Sequence, residues 1–227
     1  MRAALAGFAL AAVLPLAGAG VGAAQEVAAI EDNSFLLEEA YNQERGIVQH
    51  INTLLRSRNS WSYSFTQEWP LGGQRHQGSY TVPIGDAGLG NVALNYRHQV
   101  LNGARVALAP RLSMILPRSG PVGLQANLPL SVLVAPQIVT HWNAGVTLMP
   151  ADEPFYNAGA SAIWLVRPLV NVMLEFAWVG AAGSGALIVN PGLRWAHNIG
   201  RLQVVPGISF PDGRDVFLYL SLEHPFR

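Results

Sequence analysis

From about Ser60 to the end of the chain, apolar and polar residues alternate with a period of two, in blocks of about ten residues. In the block from Trp61 to Thr66, aromatic side chains occupy the odd positions and small polar side chains the even ones. Successive side chains of a strand point to opposite faces, so the pattern predicts strands with one apolar and one polar face. From Gly46 onward it predicts twelve strands, with ten or fourteen left open, at about 46–55, 60–69, 78–84, 91–100, 104–116, 122–134, 137–148, 155–166, 168–179, 185–196, 200–210 and 214–226.

The parity of several blocks assigns each side chain to a face. Apolar residues share one parity, and Asn, Gln, Ser, Arg or Glu occupy the other. The apolar face should contact lipid, because lipid-facing and lumen-facing residues alternate in a membrane barrel. The predicted lipid-facing positions include Val92, Leu94, Tyr96, Leu124, Ala126, Leu128, Leu130, Val132, Val170, Val172, Leu174, Phe176 and Trp178, with an aromatic girdle of Trp61, Trp69, Tyr96, Trp142, Tyr156, Trp164, Trp178 and Trp195.

The N-terminus has the three parts of a secretory signal peptide. Arg2 supplies the positive charge, residues 3–16 are apolar, and residues 17–24 are rich in small side chains. Cleavage after Ala23 or Ala24 is expected, and a retained membrane anchor is the alternative. The sequence thus predicts an exported protein.

Export together with many strands that have one apolar and one polar face indicates an all-β fold. We predict an antiparallel transmembrane β-barrel of about 12 strands with a short N-terminal helical or irregular segment. Only a closed barrel leaves no unpaired backbone in lipid. The predicted division is a signal peptide at 1–24, an acidic periplasmic or lumen segment at 25–45, and the barrel at 46–227. The expected location is the outer membrane of a Gram-negative bacterium, and a soluble sandwich is the alternative.

The acidic segment does not alternate. It holds six of the 14 acidic residues between Glu26 and Glu44, and Asn33 or Ser34 could cap a short helix through Ala40. We expect it at the periplasmic mouth or folded into the lumen, as a plug against lumen arginines or a contact for a periplasmic partner. A solvated tail is the alternative, although Phe35 to Leu37 favour burial.

The amino-acid composition limits the classes of binding partner that we expect for this protein. Charged residues make up 12% of the chain, about half the usual share, so little ionic surface is available for water. Cysteine is absent, which excludes a disulfide framework, and the net charge of zero without a basic cluster argues against nucleic acid. The expected partners are outer-membrane lipid, a small-molecule solute and, from the amphipathic last strand ending at Phe226, the barrel-assembly machinery.

The polar parity places charged residues in the lumen. An unpaired charge there would be costly, so these groups should either pair in a filled interior or line a water-filled pore. Arg97, Arg111 and Arg194 are the candidates for attracting carboxylates or phenolates. The pore candidates are Glu68, Arg97, Arg111, His141, Glu175 and Arg194, and Arg105 and Glu223 share their parity.

No pattern predicts catalysis or a bound cofactor. His141 and Asn143 lie on one face of a strand, as in a lipid hydrolase, but no Gly-x-Ser-x-Gly motif accompanies them. The six histidines are scattered without metal-ligand spacing, and no nucleotide motif is present. We therefore expect no enzyme, no cofactor and no energy coupling.

The run IEDNSFLLEEAYNQE at 30–44 and GIVQHI at 46–51 resembles the N-terminal signature of a bacterial family named for the meta-pathway of phenol degradation. Residues 82–97 and 109–113 are similar to its first hairpins. The resemblance implies a transporter-like outer-membrane barrel for small, aromatic or anionic solutes. It carries over no functional residues, and a non-transporting structural barrel and a lipid hydrolase remain the rival functions.

Overall fold

The computed structural model describes residues 34–150 and 152–226. The predicted signal peptide, its cleavage site and residues 25–33 of the acidic segment lie outside the described residues. The described part forms twelve antiparallel strands: β1 (Ile47–Arg56), β2 (Trp61–Pro70), β3 (His76–Gly85), β4 (Gly88–Leu89, Val92–His98 and Leu101–Asn102), β5 (Val106–Leu108 and Arg111–Leu116), β6 (Gly123–Asn127 and Leu130–Ala135), β7 (Ile138–Leu148), β8 (Phe155–Arg167), β9 (Val170–Ala181), β10 (Ser184–Trp195 and His197–Ile199), β11 (Leu202–Ser209) and β12 (Val216–Pro225).

A proline causes the interruption within each of β5 and β6. Pro110 and Pro129 stand at the two breaks, and proline has no N–H to give to a neighbouring strand. Backbone hydrogen bonds continue around each break, from Ala109 N to Pro129 O and from Leu128 N to Ala144 O. Each pair of segments therefore acts as one strand of the barrel.

The sheet closes on itself. Each strand pairs with its neighbour in sequence, and β12 pairs with β1 from Ile47 opposite Pro225 to Arg56 opposite Val216. Closure leaves no open sheet edge, which confirms the predicted barrel of about twelve strands. The helix considered from Ser34 to Ala40 is absent: residues 34–45 are irregular, because their backbone N–H groups bind side chains of the barrel wall.

The two faces of the wall have the predicted chemistry. Along β9 the apolar Val172, Leu174, Phe176 and Trp178 are exposed, whereas the intervening Asn171, Met173, Glu175 and Ala177 are buried. Exposed apolar residues outside and buried polar residues inside are the reverse of a soluble sandwich and typical of a membrane barrel. Among the predicted girdle residues, the exposed ones are Trp61, Tyr96, Trp142, Tyr156, Trp164, Trp178 and Trp195.

In the described ranges, no helix has both the length and the apolar character needed to cross a bilayer.

A charge on the outer face should destabilise the barrel according to its depth. Leu174 lies near the middle of β9, and we expect Leu174→Arg to lower the free energy of unfolding in lipid vesicles by about 2 kcal/mol. Leu187→Arg, close to the start of β10 at the loop rim, should cost less than about 1 kcal/mol because the charge reaches the interface. Urea titrations of both variants check this, and equal losses would contradict the assigned depth.

The barrel has two distinguishable ends. The end at which β1 begins and β12 ends, here called the terminal rim, carries the turns 71–75, 103–105, 136–137, 168–169 and 200–201. The opposite end, the loop rim, carries the connections 57–60, 86–87, 117–122, 149–154, 182–183 and 210–215. Towards the terminal rim, the inner face of β6 to β9 holds an apolar cluster of Leu133, Val139, Ile163, Leu165 and Met173.

Candidate functional site

Residues 34–45 lie inside the barrel, and we call them the lumen strap. The chain enters at the terminal rim, where Gly46 adopts a φ of 79° and Ile47 N donates to Glu44 O at 3.1 Å. Glycine accommodates this left-handed conformation without strain, and it turns the strap into the lumen just before β1 begins. From there the strap contacts β1, β3 and β4 first, then β6 and β7, and finally β8 to β12.

The carboxylate of Glu175 on β9 holds the far end of the strap. Its Oε1 accepts the backbone N–H groups of Phe35, Leu36 and Leu37 at 3.0, 3.1 and 3.4 Å. Its Oε2 accepts Asn190 Nδ2 at 2.7 Å. Consecutive N–H groups that converge on an anion form a nest, so this end of the strap is an anion site filled by a wall residue.

The middle of the strap is bound through Glu38. Asn143 accepts Glu38 N–H at 2.8 Å and donates to Glu38 O at 2.7 Å, so one side-chain amide replaces the partner strand that this backbone lacks. The Glu38 carboxylate forms an ion pair with Arg111 at 2.6 Å and accepts Asn127 Nδ2 at 2.8 Å. Arg111 also donates to Asn95 and Gln125.

Arg97 on β4 binds the part of the strap near the terminal rim. Its Nε donates to Asn42 Oδ1 at 2.8 Å, and its terminal nitrogens donate to the carbonyls of Glu39 and Tyr41. The fixed fork of the guanidinium suits several oxygens in one plane. Further backbone contacts in this part run from Ala40 N to Ser131, Asn42 N to Gln99 and Gln43 N to Gln77.

The ring of Phe35 fills the space beside two glycines of the inner wall, Gly192 and Gly207. Its ring lies 5.7 Å from the Phe217 ring and 5.4 Å from the Tyr219 ring, measured between centroids. A Cβ built on Gly192 or Gly207 would come within 2.5 or 2.7 Å of the Phe35 ring. Glycine in a strand often marks a close approach, and here the approaching group is the strap.

The lumen at the level of the strap is filled by protein. The exposed fraction is 0% for His141 and Glu175, 1% for Arg194 and 5% for Arg97, although all four project from the inner wall. Side chains that line an open aqueous channel would be wetted. In this state the strap and the apolar cluster occupy the space that a solute would need.

The structure places all six pore candidates on the inner wall with different partners. Glu175, Arg97 and Arg111 bind the strap directly, as described above. Arg194 donates a hydrogen bond to Ser34 O at 3.4 Å. Its Cζ lies 4.1 Å from the centroid of the Tyr219 ring, which is a cation–π contact. Glu68 accepts Gln77 Nε2 at 2.7 Å. Arg105 is exposed in the turn 103–105, so its predicted lumen position is wrong: the strand ends before it.

His141 has a partner that the sequence did not suggest. Its Nδ1 lies 2.7 Å from Ser131 Oγ, and that oxygen also accepts Ala40 N–H at 2.8 Å. Both side chains are fully buried, and Asn143, the other candidate of a hydrolase site, binds Glu38 instead. The Ser131–His141 pair therefore supports the strap and has no access to lipid in this state.

The strap-binding amides Gln77 and Gln99 were not singled out in the sequence, and Asn143 was considered there as part of a hydrolase site and not as a partner of the strap. Their inward parity was readable, since each shares the parity of a charged neighbour such as Arg97 or His141. What the sequence did not carry was the identity of their partners. An amide can both donate and accept, and so can serve a backbone that runs past it.

No family model and no curated protein matches the sequence. Several solved structures are similar in fold. The chain is similar to the KdgM porin, with a TM-score of 0.63 at 8% identity over 79% of this chain and 99% of that one. It has the fold of outer-membrane porins. The NanC porin (TM-score 0.59, 8% identity, 79% and 99% covered) and an outer-membrane channel from Pseudomonas putida F1 (TM-score 0.58, 11% identity, 85% and 100% covered) share it.

Proposed function

We propose that this chain is an outer-membrane channel that passes small solutes without energy coupling, and that the lumen strap closes it. The main support for this proposal is that the lumen strap, and not the wall itself, fills a closed barrel with a polar inner face. The wall holds this segment through side-chain hydrogen bonds, which a solute or water can replace. Export through a cleaved signal peptide and a place in the Gram-negative outer membrane belong to the same proposal.

The solute class follows from the groups that strap movement would release. Arg97 would lose three oxygen partners, Arg111 its carboxylate and Arg194 its carbonyl. Guanidinium groups at similar depth in a narrow lumen favour anions. We therefore propose small anionic solutes, including aromatic acids if the chain belongs to the phenol meta-pathway family. The KdgM porin has a solved structure in complex with disordered oligogalacturonate.

A non-transporting structural barrel is the second candidate. The fully buried state of Glu175, His141 and Arg194 favours it, because such groups stiffen an interior that never opens. In that case the strap would be a permanent part of the core. For either candidate we propose no enzymatic role, since the Ser131 hydroxyl binds the strap and His141 binds that hydroxyl.

A disulfide lock separates the two candidates. Ser34 Oγ on the strap lies 3.4 Å from Ser161 Oγ on β8, so cysteines at these positions are close enough to form a disulfide. The chain has no cysteine of its own, so Ser34→Cys with Ser161→Cys forms a single reversible staple. In planar bilayers, we expect the oxidised double variant to be silent and the reduced one to show the anion-preferring steps of the unmodified chain.

The single variant Ser161→Cys, treated with the same oxidant and reductant, is the matched control and should conduct in both states. Equal conductance of the oxidised and reduced double variant would show that the strap is not the closure. Silence of the unmodified chain and of the reduced variant, with folded barrels in the bilayer, would decide for the structural barrel.

A further inference from the structure

A pair of histidines bridges the outside of the seam where the first and last strands close the barrel. His50 belongs to β1 and His224 to β12, and the two strands pair with Val48 opposite His224. Gln49 points inward, since it binds Gln43 of the strap, so His50 points outward by alternation. The pair lies a few residues from the terminal rim.

The distance between the two imidazoles suits a shared metal ion. His50 Nε2 and His224 Nε2 are 3.1 Å apart, and the rings lie nearly parallel with centroids 5.2 Å apart. Two ligands at about 2.0–2.1 Å from one ion are separated by about 2.9 Å in square geometry and about 3.4 Å in tetrahedral geometry. The observed separation falls between these values.

A backbone contact prepares one of the nitrogens for ligation. His224 Nδ1 lies 3.1 Å from the carbonyl oxygen of Pro225, which can only accept a hydrogen bond. The proton is then on Nδ1, and the lone pair of Nε2 faces His50. Metal-binding histidines commonly donate their other ring N–H to a carbonyl in this way.

We propose that His50 and His224 form a two-histidine site for a borderline divalent transition-metal ion, with Cu²⁺ bound more tightly than Zn²⁺ or Ni²⁺. Imidazole nitrogens suit these ions, and the order follows their general affinity for nitrogen ligands. In the described ranges no group of three or more His, Asp or Glu side chains converges, so water completes the coordination. Both histidines are half-buried, and they lie within four residues of the terminal rim, where water at the membrane surface would reach a bound ion. The bound ion would tie β1 to β12.

A second histidine pair in the same barrel provides the control. His76 and His98 lie opposite each other on β3 and β4, with their Nδ1 atoms 3.3 Å apart. Here the Tyr96 hydroxyl lies 2.6 Å from His76 Nδ1 and occupies that nitrogen. We therefore expect this pair to bind the ion much more weakly, although its spacing and its outward position are similar.

The test is Cu²⁺ binding to the full mature barrel in detergent, purified without a polyhistidine tag. We expect one Cu²⁺ per barrel, with the electron paramagnetic resonance splitting of two nitrogen ligands. Replacing either ligand, as His50→Ala or His224→Ala, should weaken binding by at least about tenfold and remove the two-nitrogen signal. His76→Ala should leave both unchanged.

His50→Gln provides a second variant that keeps a polar side chain at the seam, and heat-modifiable migration on gels confirms that each variant is folded. Cu²⁺ should raise the temperature of that migration change in the unmodified barrel and not in His50→Gln, because only a folded seam holds the ion. Absence of saturable binding, or equal loss in His50→Gln and His76→Ala, would overturn the proposal. Both outcomes are independent of whether the barrel conducts.

Discussion

Replacing Glu175 by leucine should release the lumen strap while the barrel remains folded. Leucine keeps approximately the volume of the side chain but accepts no hydrogen bond. The N–H groups of Phe35, Leu36 and Leu37 would then remain buried without a partner. Each such group costs about 1–3 kcal/mol, so we expect docking of the strap to weaken by about 4 kcal/mol.

Cysteine labelling measures this release directly. Ala40 of the strap is fully buried against the wall residues Ala107 and Ala109, so the thiol of Ala40→Cys in this cysteine-free chain reacts only when the strap leaves. A loss of about 4 kcal/mol should raise the maleimide reaction rate of Glu175→Leu by about a thousandfold, since every 1.4 kcal/mol is a factor of ten. Glu175→Gln keeps one acceptor and should give an intermediate rate.

Glu153→Leu is the matched control, because it makes the same chemical change in an exposed loop at the loop rim. It should leave the labelling rate within about twofold of the reference, as expected for surface substitutions. A rate for Glu175→Leu that equals the control rate would show that the nest does not hold the strap.

The barrel could be predicted from the sequence because its information is local. Parity along a strand decides which side chains face the bilayer, and Leu174 and Glu175 differ by one position and by face. The turns between blocks imply antiparallel neighbours. Twelve strands with an apolar outer face then leave closure as the arrangement without a free edge.

The path of the lumen strap could not be predicted in the same way. Its backbone donors find acceptors that are distant in sequence: 140 residues separate Phe35 from Glu175, and 105 separate Glu38 from Asn143. Such contacts leave no period in the strap itself. The apolar Phe35 to Leu37 indicated burial, and the acidic residues suggested arginine partners, of which the Glu38–Arg111 ion pair is one. The sequence did not indicate which acidic residue would meet which arginine.

Inward glycines were the signal that sequence reasoning left unused. Gly192 and Gly207 lie in the interiors of β10 and β11, where glycine weakens a strand. Neither has a positive φ, so backbone conformation does not require glycine at these positions. Their small size matters because Phe35 occupies the space that a side chain would fill.

Gly207→Ala should therefore displace Phe35 while leaving the strand intact. The new Cβ would lie 2.7 Å from two ring atoms of Phe35 and from Arg194 Cγ, which is closer than carbon atoms pack. Overpacking of this kind costs about 3 kcal/mol at the upper end of its usual range. The labelling rate of Ala40→Cys should then rise by about a hundredfold.

A double-mutant cycle with Phe35→Ala distinguishes a clash of the new methyl group with Phe35 from a disturbance of strand β11 itself. Phe35→Ala alone should weaken docking by about 2 kcal/mol through lost burial, and it also empties the space that the new methyl group needs. Adding Gly207→Ala to Phe35→Ala should raise the labelling rate by much less than about a hundredfold, because the clash with the Phe35 ring is gone and only the contact with Arg194 Cγ remains. If the two effects add in full, the penalty of Gly207→Ala lies in the wall and Phe35 is not what requires glycine there.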